Sequence, residues 1–505
     1  MATQIDTRAG AREWIALGVL TLAVTLLAVD GTVLALAVPA LTDSLGATST
    51  EVLWIGDIYS FALAGLLVTM GNLADRIGRK KLLLIGSVGF GISSALAAVS
   101  PTPELLIAAR ALLGISGATI MPSTLALIRS TFLDAKQRTR AIAVWAAGAT
   151  AGAALGPLVG GALLEHFWWG SVFLINIPVM VLVLALGIPL LIESRNPERA
   201  PIDLLSAFLS VAAIVPIVYA IKTVVKEGAT LGFFAGAVVG LAAGVTFVIR
   251  QRRLAHPLVD ITLFARPAFT GAVIANGVSI FALSGLLFFF SQYLQLVRGF
   301  SPLIAGLAEL PATVAAILAV LVVGWFVTRL GRGRAIAVAL FTTAAGMVGL
   351  ALAESLPNYL WLGIALAVIA GGIAIAETIS IDTVVSVVPR ERAGAASSIA
   401  ETAYELGIAL GIAVLGSVLN AVYRASVPVP ADLSTSDRTA LTESLATARG
   451  ALADRLPDVF AAAQHAFTGA MQITAIVAAA VLAVAGVVAL LVIPSTKGDM
   501  ENVEH

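Results

Sequence analysis

Six side chains stand where charge is scarce and could do chemistry there. Asp30 lies inside an apolar run from Trp14 to Leu36, Asp57 and Glu309 lie inside two others, Glu401 and Glu405 share a fourth, and Arg110 is the base among them. A charge near the centre of a bilayer costs at least about 2.5–3.5 kcal/mol, so it persists where it faces water, a partner or a cargo. Within such runs the acids Asp30, Asp57, Glu309, Glu377, Asp382, Glu401 and Glu405 oppose Arg110 alone. A cavity so lined attracts cations. Glu401 and Glu405 are four residues apart, hence on one helix face with Tyr404 beside them, and two carboxylates so placed hold one proton between them or take a cation. The plainer alternative is that they satisfy buried hydroxyls such as Tyr404. At about 1.5 Å per residue, Asp30, Asp57 and Arg110 come to similar depth in the outer half of three helices. Burial favours a neutral carboxyl and a nearby guanidinium an ionised one, so relative movement of these groups can load and release a proton.

The elements that must position them follow from composition. The chain is 59% hydrophobic and 12% charged, where soluble domains carry about 25% charged residues. It is expected to be an all-α integral membrane protein. Without cysteine it has neither disulfides nor thiolate metal sites. Apolar runs long enough to span, roughly 18–25 residues, occur near 14–37, 52–73, 82–99, 104–127, 140–164, 171–192, 203–222, 229–249, 268–293, 303–327, 335–353, 359–386, 393–420 and 467–493. The first run is expected to stay in the protein, because it is long, holds Asp30 and lacks a cleavage site of small residues.

Cytoplasmic loops collect Lys and Arg. With the N-terminus inside, the inner segments receive Arg8 and Arg12; Arg76, Arg79, Lys80 and Lys81; Arg129, Lys136, Arg138 and Arg140; Arg195 and Arg199. They also receive Arg250, Arg252, Arg253 and Arg266; Arg329, Arg332 and Arg334; Arg390 and Arg392; and Lys497. The short outer loops keep Lys222, Lys226 and Arg298. An even helix count with both termini cytoplasmic is expected. The long segment 425–466 then lies outside, where Leu441, Leu445, Leu452, Leu456 and Phe460 have roughly helical spacing.

A repeat divides the chain. Gly71-Asn72-Leu73-Ala74-Asp75-Arg76-Ile77-Gly78-Arg79-Lys80 follows the second run and Gly324-Trp325-Phe326-Val327-Thr328-Arg329-Leu330-Gly331-Arg332-Gly333 the tenth. If the two turns are equivalent, residues 14–192 and 268–493 are related six-helix bundles and 203–249 is an inserted pair, between tails 1–13 and 494–505. Transporters built from parallel repeats rock one half against the other around a central site. The alternative is that any short cytoplasmic loop gathers Gly and Arg.

Gly71–Lys80 resembles the signature loop of the major facilitator superfamily, in which the acid at Asp75 and the base at Arg76, with Gly71, Gly78 and Arg79, form a cytoplasmic gate. The second copy has Thr328 in place of the acid. Arg110, in Leu106–Gly114, resembles the superfamily's helix 4 motif, whose arginine is implicated in proton transfer. The stretch holding Gly148, Gly152, Gly156, Pro157 and Gly160 resembles the helix 5 motif of its antiporters. Val29-Asp30-Gly31-Thr32-Val33 and Glu401-Thr402-Ala403-Tyr404-Glu405-Leu406-Gly407 are similar to segments of the fourteen-helix drug:proton antiporters of the QacA, SmvA and LfrA type, the LfrA-like pumps above all, although Ala35 replaces an Asn common there.

That resemblance implies two six-helix bundles plus two inserted helices. It implies export of lipophilic cations such as ethidium, acriflavine, quaternary ammonium compounds and fluoroquinolones, in exchange for protons across the bacterial cytoplasmic membrane. Asp30, Asp57 and Arg110 are assigned to coupling, and Glu401, Glu405, Glu309, Tyr404 and Phe289 to the cargo. Phe288, Phe290, Tyr293 and Trp145 add possible cation–π surface, although aromatics in such helices mostly pack or face lipid; Trp168 and Trp169 fit an interfacial belt. Small residues in the run holding Gly148 allow close helix contact, and Pro157 a local break. No nucleotide-binding loop occurs, and His166, His256, His465 and His505 lie in loops or tails, so neither an ATP-driven pump nor an enzyme is expected. The expected partners are lipophilic cations, protons and membrane lipids, without nucleic acid, cofactor or metal, and the expected state is a monomer. Export of an endogenous amphiphile such as a lipid, siderophore or secondary metabolite is the alternative.

Overall fold

The computed structural model describes residues 9–195, 203–255, 257–388 and 392–495. Arg8, Arg199, His256, Arg390, Lys497, His505 and most of both expected tails lie outside the described residues, as does the side chain of Lys226. The described residues form helices and no strand, and fourteen segments are long and apolar enough to cross a membrane. The first bundle is α1 (Ala11–Leu45), α2 (Ser49–Ile77), α3 (Arg79–Ala98), α4 (Pro103–Thr131), α5 (Ala135–His166), α6 (Ser171–Leu174) and α7 (Asn176–Leu190). The inserted pair is α8 (Leu204–Glu227) and α9 (Leu231–Arg253). The second bundle is α10 (Pro267–Leu296), α11 (Pro302–Ala308), α12 (Leu310–Leu330), α13 (Arg332–Ala353), α14 (Tyr359–Ser386), α15 (Ala393–Ser426), α16 (Thr435–Glu443), α17 (Leu445–Leu452) and α18 (Pro457–Val492).

Both repeat turns need glycine. Gly78 between α2 and α3 has φ +115° and Gly331 between α12 and α13 has φ +75°, a region open to few other residues. Elsewhere polar side chains start the helices: Thr48 caps α2 in a reciprocal pair with Glu51, and Asp134 caps α5. The run 303–327 is two helices, α11 and α12, meeting at Glu309 just before Pro311. Proline there cannot donate to the preceding turn, which frees the chain to break. No such break occurs at Pro157, through which α5 runs without interruption.

The ends of the described chain, Ala9 beside Gln137 at the start of α5 and Ser495 beside Arg334 at the start of α13, and the loops after α2, α4, α7, α9, α12 and α14 lie at one end of the bundle, here the terminal side; the remaining loops form the far side. On the far side the segment after α15 folds as α16 and α17, burying Leu441, Leu445 and Leu452. Trp168 there is exposed, but Trp169 is not part of an exposed belt: it is buried and its Nε1 donates to Ser44 Oγ at 3.1 Å.

Candidate functional site

Close helix contact comes before charge placement. Gly148, Gly152, Gly156 and Gly160 turn one face of α5 onto α1, where an added Cβ would meet Thr21, the Thr25 carbonyl, Thr32 or Val33. On α4, Gly114 lies against the Tyr59 carbonyl of α2 in the same way. That proximity lets Arg110, one turn earlier on α4, reach between α1 and α2.

Asp30 is fully buried on α1 and both its carboxylate oxygens accept from other helices. Arg110 Nη1 donates to Oδ2 at 3.0 Å, and Asn176 Nδ2 of α7 donates to Oδ1 at 2.7 Å. Ser94 Oγ on α3 accepts from the same amide at 3.1 Å. Arg110 Nε donates to the Ile55 carbonyl at 3.2 Å, and its guanidinium carbon lies 4.7 Å from the Tyr59 ring centroid. Desolvated cation and carboxylate are thus matched, with hydrogen bonds to spare, as a buried pair requires.

Asp57 belongs to a different pair. Its Oδ2 lies 2.7 Å from Lys222 Nζ, both side chains almost wholly buried. Lys222 therefore does not sit in an outer loop. It is on α8 within the apolar span, and Arg110 is not the only base there; the Asp57 carboxylate and the Trp54 ring, 3.7 Å from Nζ, compensate its burial.

Between the bundles lies a cavity of about 250 Å³. Its wall is chiefly apolar, with Phe288, Ile408 and Ile412 facing Leu34, Ala153 and Pro157, and polar groups from Tyr59, Ser60, Arg110, Thr150, Glu309 and Tyr404. Glu309 is buried and its Oε1 has no hydrogen-bond partner among the described residues. Glu405 is buried next to Tyr404, facing the Ser60 hydroxyl, with Oε2 unpartnered among the described residues. Glu401 is partly buried on the same face, and the charge of Glu377 on α14 acts on it. Phe289 points elsewhere, against Leu53 and Gly416 toward the far side, and Phe288 takes the cavity wall. Trp145 and Tyr293 are committed to packing: Trp145 Nε1 donates to Thr124 at 3.1 Å and the Tyr293 hydroxyl to the Glu354 carbonyl at 2.6 Å.

Far-side contacts close the seam. Gln295 Nε2 donates to the Leu36 carbonyl at 3.0 Å, Leu303 N to Glu165 at 3.4 Å, and Gly306 lies against the Pro157 carbonyl. Toward the terminal side, α5 stays exposed at Val144 and Thr150. The signature turn is tied within its own bundle. Asp75 pairs with Arg79 at 2.9 Å, Arg79 Nη1 reaches Ser194 at 3.0 Å, and Glu193 accepts the Lys80 and Lys81 N–H groups. Gly71 faces Pro122, and Arg76 is exposed. Among the described residues, the bonds of Asp75 stay within the first bundle.

A family model described as Major Facilitator Superfamily matches residues 20–412. The chain is 46% identical over 492 residues to the multidrug efflux pump LfrA of Mycolicibacterium smegmatis, covering 96% of this chain and 97% of that one. It is 38% identical over 464 residues to the methyl viologen resistance protein SmvA of Salmonella typhimurium, covering 90% and 93%. Among solved structures it is similar to a bacterial homolog of the human lysosomal transporter Spinster in an inward-facing, unoccupied conformation. The TM-score is 0.65 at 19% identity, over 97% of this chain and 100% of that one.

Proposed function

The chain belongs to the major facilitator superfamily, and on that premise we propose that it is a multidrug efflux antiporter of the bacterial cytoplasmic membrane, exporting lipophilic cations in exchange for protons. It works as a monomer with both termini in the cytoplasm, the side on which Lys and Arg of the short loops collect. The observation that carries this reading is the position of Arg110. It lines the central cavity and at the same time holds the buried carboxylate of Asp30 behind the wall. A cation entering from the cytoplasm meets an aromatic and aliphatic surface with the acids of Glu309 and Glu405 at or just behind it. Its charge repels the Arg110 guanidinium and is repelled in turn. When a proton reaches Asp30, the ion pair breaks, and Arg110 is freed toward the cavity, where it disfavours the cargo. Binding of cation and proton thus compete through one arginine, which is the requirement for antiport. The 46% identity to a multidrug efflux pump and the 38% identity to a methyl viologen resistance protein support the cargo class.

The test is ethidium-triggered proton movement in liposomes containing the purified protein. Wild type is expected to give proton counterflow. Asp30→Asn is expected to abolish it while ethidium still binds, and Glu405→Gln to weaken ethidium binding. Ethidium binding without proton movement in the wild type would sink the reading.

A further inference from the structure

The inserted helix α8 carries a charge that its packing does not need. The side chains of Lys222 and Asp57 are each at most 2% exposed. Taking two such ions out of water costs several kcal/mol apiece, and a well-packed apolar pair in their place is often neutral or stabilising. As a fastener for α8 the pair is therefore poor, and α8 has better ones. Ser210 Oγ donates to the Gly65 carbonyl at 2.9 Å, Val211 fills the space where a side chain on Gly65 would stand, and Val218 is buried with Ala409 and Ala413. These contacts lay α8 along the line where α2 of one bundle meets α15 of the other.

Geometry also gives Lys222, and through it Asp57 behind it, a route to water separate from the central cavity. A small cavity of about 20 Å³ adjoins Lys222 toward the far side, lined by Ser49, Thr50, Ser417, Asn420 and Arg424 among others. That is room for one water with polar partners around it. Neither Asp57 nor Lys222 lines the central cavity. Among the described residues, the other charges acting here are Arg110 on α4, whose field reaches Asp57, and Arg424 on α15, which is held by Ser49 and Glu443.

We propose that Asp57 and Lys222 form a second proton-exchange pair, reached from the far side, through which the inserted helix takes part in coupling; this rests on the antiport reading above. Lys222, which stands between the small cavity and Asp57, swings its ammonium into that cavity and admits a hydronium ion, which gives its proton to Oδ2 of Asp57 and leaves as water. The neutral carboxyl no longer holds the ammonium, which stays with the hydroxyl and amide groups of the small cavity. When α2 and α15 shift, the returning ammonium drives the proton from Oδ2 to a water admitted from the central cavity past Gly56 and Ser60, which line it, and that water leaves as hydronium on the opposite side. Lys222 is a positioning residue that sets when Asp57 is charged.

Removing both partners separates this role from a structural one. In liposomes, Lys222→Met and Asp57→Asn are each expected to lose ethidium-driven proton counterflow. The double variant leaves no unpaired buried charge; it is expected to fold and bind ethidium, yet remain without counterflow. Should the double variant regain the wild-type rate, the pair is a structural clip and the inference is overturned, while wild-type counterflow keeps the antiport reading. No counterflow in the wild type ends both. Should the double variant fail to bind ethidium, Lys222→Arg decides: it keeps the charge and is expected to transport with an altered dependence on far-side pH, and an unaltered profile refutes the proposal.

Discussion

Asn176 is the residue that turns a buried ion pair into an oriented one. Its amide donates to Asp30 Oδ1 at 2.7 Å, opposite the oxygen held by Arg110, so Asp30 stays fixed when Arg110 moves. A hydrogen bond to a charged group contributes about 1.5–3 kcal/mol. Asn176→Ala should lower stability in thermal unfolding by about that amount and slow proton counterflow. Asn176 does not line the cavity, so ethidium affinity should hold; an affinity that falls in step would contradict the separation of proton site from cargo site. Asp30 and Arg110 were legible in the sequence because a charge in an apolar run is expensive. Asn176 was not, because an uncharged amide in such a run carries no comparable signal. Lys222 was misread as loop because a lysine at the end of an apolar run usually marks the interface; only its partner on α2, far away in sequence, explains its burial.

Helices show the same division. The fourteen apolar runs correspond to the long helices because the bilayer's thickness fixes their length. Their true ends overshoot the runs, as α1 does from Ala11 to Leu45, since a helix continues into polar sequence as long as its caps allow. The division of one run into α11 and α12 at Glu309 was signalled only by Pro311, and Pro157, an equal signal, interrupts nothing. Glycine spacing in α5 was the stronger guide. An added Cβ at Gly152 would be forced onto the backbone carbonyl of Thr25, whereas one at Gly18 on α1 would meet nothing within 4 Å. Overpacking of this kind costs typically about 1–3 kcal/mol, while Gly→Ala at an open helical position gains roughly 0.5–1 kcal/mol. Gly152→Ala is therefore expected to lower the melting temperature of the purified protein and Gly18→Ala to keep or raise it. Equal effects would mean that α1 and α5 are not in tight contact.

For the whole molecule, transport requires the far side to open, and one carboxylate stands across that opening. Glu443 Oε1 on α16 accepts from Ser49 N at 2.8 Å and Ser49 Oγ at 2.9 Å, at the start of α2 in the first bundle, and from Arg424 Nη2 at 3.3 Å, in the last turn of α15 in the second. Neither composition nor motif announced this contact, since 394 residues separate Glu443 from Ser49. The side chains of Arg424 and Glu443 are partly exposed, at 27% and 22%, so solvent screens the ion pair to about 1 kcal/mol or less; with the hydrogen bonds from Ser49 the contact is worth about 1–2 kcal/mol, a factor of roughly 5–30 between closed and open populations. Glu443→Ala should shift the resting protein toward a far-side-open form by that factor. Because the chain has no cysteine, spin labels at Val99→Cys and Leu356→Cys, both on exposed far-side positions in different bundles, would be the sole labels. Their distance distribution should gain a longer component in the Glu443→Ala background. If it stays unchanged while ethidium export also stays normal, the far-side seam is held by the direct Arg424–Ser49 bond, Gln295 and the α5–α11 contact instead, and α16 is a passive cover.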